Sequence, residues 1–92
     1  MPYSTTTIYA INRGSRNLGN TLGRLAIAID FSVLRIAKAT GATRQTVYNW
    51  MVGGDVLSPY RPRVEQLIEI LRNSNSAEEA WENTCAAFNL QA

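Results

Sequence analysis

Arg44, Gln45, Thr46, Tyr48 and Asn49 lie within a single six-residue stretch of this chain. Arg, Gln and Asn carry forked donors or paired donor and acceptor atoms. Those patterns match the edges that base pairs show in the DNA major groove. Arg44 can pair bidentately with guanine O6 and N7, and Gln45 or Asn49 with adenine N6 and N7. Each good pair is worth about 1–3 kcal/mol of discrimination. Thr46 is a candidate contact to a thymine methyl or a phosphate, and Tyr48 a candidate donor to a phosphate. The spacing presents these groups together. Val47, Trp50 and Met51 recur at i, i+3 and i+4, so a helix that turns them inward turns the polar set outward. The plain alternative is a solvated polar helix face.

Positioning that face requires a start, a stop and a neighbour. Thr43 can cap the helix through its hydroxyl, and Gly53-Gly54 ends it after Met51 or Val52. Upstream, Ser32 starts another helix, with Val33, Ile36, Ala37 and Thr40 facing inward. Between the two, Gly41 supplies a residue that tolerates a left-handed backbone. Ala37 sits one turn before Gly41 on the same face, and its small side chain lets two steeply crossed helices approach. Short helix, tight turn and second helix over residues 33–52 are the pattern of a DNA-reading helix-turn-helix.

The remaining sequence predicts helices around this pair. Leu18, Leu22, Leu25, Ala26 and Ile29 share one helical face, weakened by Gly19 and Gly23 at roughly 1 kcal/mol each. After a loop over 55–61, Pro62 suits the first position of a helix carrying Val64, Leu67, Ile68 and Leu71. Asn73-Ser74-Asn75 breaks the chain. Ser76 and Glu79 then form a capping box ahead of an apolar stripe through Ala77, Ala80, Trp81, Thr84, Cys85 and Phe88. Residues 1–17 read as an N-terminal extension. Thr5 to Ile11 is rich in Thr, Ile and Tyr and favours an extended segment, with a helix from Ser4 as the rival. Asn12 to Asn17 reads as a basic loop, with Arg13 and Arg16 able to act as an arm or lie against phosphate. The fold class is therefore all-α.

Composition narrows the function. The 92 residues make one small domain that a partner subunit would help to stabilise. Eight of the nine basic residues precede Val64, where only Asp30 and Asp55 oppose them, whereas residues 64–92 hold Arg72 and five glutamates. The basic part coincides with the polar helix and favours a polyanion. The lone Cys85 forbids an internal disulfide and fits a reducing, cytoplasmic setting, with burial as an apolar filler its expected role. The first residues lack a basic start before an apolar core, so they do not read as a signal peptide. The longest apolar run, Leu25 to Ile29, is too short to span a bilayer. There is no histidine, which removes the commonest general base, and one cysteine cannot build a structural zinc site. Gly19 to Arg24 lacks the Lys-Ser/Thr ending of a phosphate-binding loop. The chain is expected to be no enzyme and to carry no cofactor and no metal.

Ala37, Gly41, Val47 and Trp50 at this spacing, the Gly53-Gly54 stop and Arg61-Pro62-Arg63 opening the next helix resemble the lambdoid phage Cro and repressor family of helix-turn-helix proteins. The resemblance covers roughly Leu18 to Arg72. It implies a compact five-helix domain with its helix-turn-helix part over 18–72, while the N-terminal extension and the added C-terminal amphipathic helix over 73–92 lie outside the family's core pattern. It also implies base reading by Thr43, Arg44, Gln45 and Thr46, with Asn49 one turn on, and phosphate contacts by Tyr60, Arg61 and Arg63. Where the family often places a phosphate-gripping Gln, this chain has Val33, leaving Ser32 beside it as the candidate.

The expected function is a sequence-specific double-stranded DNA-binding transcription regulator in a bacterial cell or phage-infected host. In this reading it is a repressor that binds a palindromic operator as a homodimer. Trp81, Cys85 and Phe88 are candidates for the dimer interface, with packing inside the monomer as the alternative. A rival function uses the same fold as a protein-interaction module, an adaptor or antitoxin-like partner working through the Trp81/Phe88 helix. A DNA-bending accessory factor would need the same reading helix.

Overall fold

The computed structural model describes residues 3–90, and among them the chain is all-α with no strand. Six helices follow one another: α1 (Thr5–Arg13), α2 (Leu18–Ala28), α3 (Val33–Thr40), α4 (Arg44–Met51), α5 (Arg61–Arg72) and α6 (Ala77–Phe88). The helix α2 is the hub. It packs against α1, α4 and α5, while α3 packs against α4, α5 and α6. No helix among the described residues is long and apolar enough to cross a membrane.

Capping side chains set the starts. Ser32 accepts from Arg35 N at 3.2 Å, Thr43 from Thr46 N at 3.1 Å and Ser76 from Glu79 N at 3.1 Å. Each satisfies one of the orphan N–H groups of a first turn. Glu79 completes the last cap by accepting from the Asn75 backbone at 3.1 Å, one residue earlier than a strict capping box. Pro62 sits one residue inside α5, which opens at Arg61.

The first helix corrects the extended segment expected over Thr5 to Ile11. Ser4 caps it, accepting from Thr7 N at 3.1 Å. Ile11 is wholly buried and Ile8 packs against the same core. Burying one apolar face of a helix offsets the strand preference of Thr and Ile, which spans about 1 kcal/mol per position. The helix count is therefore six rather than five, and α1 packs on the core through Ile8 and Ile11.

Tyr3 joins that core at 4% exposure, with its hydroxyl donating to Phe31 O. Burial, with smaller contributions from Tyr48 and Asp30, pushes its phenol well above the ordinary 10.0. The folded state holds the Tyr3 proton where the unfolded chain releases it. Its contribution is complete below pH 10.0 and falls as pH rises from there toward the folded value. Tyr3→Phe is expected to flatten the loss of stability above pH 10.0 by up to about 1.4 kcal/mol per pH unit, read from urea denaturation of the two chains in parallel.

The last helix is fastened by two arginines. Arg35 of α3 pairs with Glu78 at 3.2 Å and stacks over Trp81 at 5.3 Å. Arg63 of α5 donates to Ala39 O at 2.9 Å and lies over Phe88 at 5.5 Å. Phe31 meets Trp81 from the core side, with ring centroids 6.3 Å apart.

Candidate nucleic-acid interface

The polar stretch 44–49 falls on α4, and its orientation follows from what α4 buries. Val47 and Met51 are fully buried and Trp50 is 2% exposed. Trp50 also stacks against Tyr60 with ring centroids 5.2 Å apart. With one face fixed in this way, Arg44, Gln45 and Asn49 are exposed and Thr46 is half-buried. The turn Gly41-Ala42-Thr43 joins α3 to α4. Gly41 has φ 80°, the left-handed conformation that ends a helix at low cost in glycine, and donates to Ala37 O at 2.8 Å.

The exposed groups are organised along α4. Gln45 Nε2 donates to Asn49 Oδ1 at 3.2 Å, so the two amides form one edge. Such an exposed amide pair exchanges its mutual bond for bonds to a ligand at little cost, because water already competes for it. The Thr43 hydroxyl donates to Thr46 Oγ1 at 2.9 Å while capping the helix. The Arg44 guanidinium makes no ion pair or side-chain hydrogen bond among the described residues. The start of α4 therefore offers a free cation, a hydroxyl pair and an amide pair.

The candidate phosphate residues are more dispersed. Ser32 caps α3 and is half-buried. Tyr48 is half-buried against the core, on the flank of α4. Tyr60 is carried to α4 by its contact with Trp50, and Arg61 next to it is exposed. Arg63 has an internal role: one guanidinium nitrogen holds Ala39 O and its plane covers Phe88.

The candidates for a dimer interface lie within the chain. Cys85 is 8% exposed, and Trp81 and Phe88 pack against this chain's own core under Arg35 and Arg63. Both rings are only half-buried there, so each keeps an outward-facing part.

Two features of this region escape a sequence reading. Val52, 43% exposed, extends the line of Gln45 and Asn49 at i+7 from Gln45. Its spacing is local, but the Gly53-Gly54 that follows marks it only as a helix end. The second is the polar brace behind α4. Asn20 is wholly buried and donates to Ile11 O at 2.8 Å and to Met51 O at 2.7 Å. An Asn in a helix ordinarily reads as surface, so no sequence signal marks it. Comparison with family models, with curated proteins and with solved structures returned no match, so the functional reading rests on this geometry alone.

Proposed function

We propose that this chain is a sequence-specific double-stranded DNA-binding transcription regulator, with α3, the Gly41 turn and α4 working as a Cro/repressor-like helix-turn-helix. The carrying observation is the division of α4. Val47, Trp50 and Met51 lock one side into the core, while Arg44, Gln45 and Asn49 stand exposed on the other. A helix of about 12 Å diameter fits the major groove, and these side chains then meet base edges. Thr43 and Thr46 contact the same groove near the helix start, and Ser32, Tyr48, Tyr60 and Arg61 serve as phosphate contacts around it. Arg63 is the weakest member of that set because of its bond to Ala39 O.

In this reading the protein is a phage or bacterial repressor acting in the cytoplasm, and two copies occupy a palindromic operator. Trp81 and Phe88 are half-buried against the chain's own core, so a second copy that meets the first there shares these rings with that core. The same engagement weighs against the interaction-module alternative, whose docking helix would offer Trp81 and Phe88.

The test is selection of bound sites from random duplex DNA, with a Gln45→Ala/Asn49→Ala variant run beside the wild type. Enrichment of a two-fold symmetric motif that the variant loses is the expected result. Equal enrichment by both proteins removes α4 as the reading element. No enrichment by either at low salt removes operator binding.

A further inference from the structure

We propose that the turn between α1 and α2 is a second DNA contact, in which the Arg16 guanidinium holds a backbone phosphate beside the end of α4. This rests on the DNA-reading role of α4 argued above. The first support is direction. Gln45, Asn49 and Val52 are exposed and follow one another at i, i+4 and i+7, so one stripe runs the length of α4. Eight residues at 1.5 Å each make α4 about 12 Å long, close to the width of the major groove. A helix that begins at base edges thus ends near the sugar-phosphate wall.

The α1–α2 turn is fixed at that end. A Cβ on Gly14 would sit 2.6 Å from Val52 O, and one on Gly53 would sit 3.0 Å from Ser15 N, so the two backbones touch. Asn17 Nδ2 donates to Gly53 O at 2.8 Å. Asn20 ties the end of α1 to the end of α4 through Ile11 O and Met51 O, and Arg24 holds Asn12 O at 2.7 Å. The turn therefore moves with α4 as one body, unlike a trailing arm. A phosphate ligand on it adds register to the base contacts, since rigid placement lowers the ordering cost of each bond.

The second support is which arginines are free. Arg13, Arg24, Arg35, Arg63 and Arg72 each contact an aromatic ring, a carbonyl or a carboxylate. Among the described residues Arg16 makes no such contact, a property it shares with Arg44 and Arg61. Those two are the arginines already placed against DNA. Arg16 extends the same cationic set past the far end of the reading helix.

Salt dependence separates this contact from general charge. Anisotropy titrations of a fluorescent mixed-sequence duplex of about 30 base pairs, between about 50 and 200 mM salt, give the slope of log affinity against log salt. Arg16→Ala is expected to reduce that slope by about one and to weaken binding alike on all sequences, leaving the selected motif unchanged. Arg72→Ala, which removes a neighbouring positive charge that shares a surface pocket with Leu18 and Thr21 but is paired with Glu69, is expected to keep the wild-type slope. A wild-type slope in Arg16→Ala, or an equal drop in Arg72→Ala, overturns the contact. Failure of the α4 reading looks different: the wild type then shows no salt-dependent duplex binding, or the Gln45→Ala/Asn49→Ala variant retains the motif. Either result takes the Arg16 contact with it.

Discussion

Asn20→Ala is expected to lower folding stability by about 3 kcal/mol, within a range of about 2–5. The side chain is wholly buried and makes three bonds: to Ile11 O, to Met51 O, and from Arg24 Nε at 2.7 Å. Ile11 O keeps a second donor, Gly14 N at 3.1 Å. Met51 is the last residue of α4, so no donor further along the helix replaces the lost bond. A buried carbonyl left without a partner costs about 1–3 kcal/mol, and the lost hold on the Arg24 guanidinium and the small cavity add to it. For a domain of this size the shift in Tm is about 12–24 °C. Asn20→Asp separates hydrogen bonding from packing. It keeps the volume but sets carboxylate oxygens against two carbonyls, so it should be at least as damaging at neutral pH. An Asp variant as stable as the wild type in urea denaturation would show that packing, not the donated bonds, makes Asn20 matter.

That residue also marks where the sequence stops being informative. Local signals sufficed wherever a helix was defined by its own cap and its own stripe. Ser32, Thr43 and Ser76 are cap residues, and Val64, Leu67, Ile68 and Leu71 form a regular buried face. The turn at Gly41 was equally plain, because a positive φ is something one residue type does easily. The helical state of α1 has a different origin. Thr5 to Ile11 has strand-forming side chains, and what makes it helical is the burial of Ile11 and Ile8 against other helices together with the Ser4 cap. Only the first of these is tertiary, but it carries most of the energy.

The candidate site divides in the same way. Residues 44–49 were legible because their type and their spacing from Val47, Trp50 and Met51 are both local. Arg63, by contrast, reads as a free basic residue at a helix start, and only the fold brings Ala39 O and Phe88 to it. The aromatics of α6 left two readings open because an amphipathic stripe does not say which surface will cover it. Arg35 and Phe31, both distant in sequence, cover part of Trp81 and leave it half-buried.

Gly19→Ala is expected to destabilise the protein by about 2 kcal/mol although alanine is the better helix former. In sequence Gly19 appears only as a weak point in α2, and a local account predicts a gain of roughly 1 kcal/mol from the substitution. The structure reverses the sign. A Cβ on Gly19 would lie 2.5 Å from Trp50 O and 2.7 Å from Trp50 Cβ. Neither atom can rotate away, because one is backbone and the other is bonded directly to it. The alanine must therefore push α4 off α2, an overpacking cost of about 3 kcal/mol that exceeds the helical gain. Gly41→Ala provides the contrast. Nothing lies within 4 Å of that position, and only the left-handed φ of 80° is penalised, at about 1 kcal/mol. Thermal melts of the two variants should rank Gly19→Ala well below Gly41→Ala, and the opposite order would mean that α2 and α4 do not meet at Gly19. The displaced helix is also the one that carries Gln45 and Asn49. On the proposed DNA-reading role of α4, Gly19→Ala protein that remains folded at low temperature should therefore lose motif enrichment in site selection while keeping most of its salt-dependent binding to mixed-sequence duplex. Base contacts depend on sub-ångström placement, whereas contacts to phosphate tolerate a small shift of the helix.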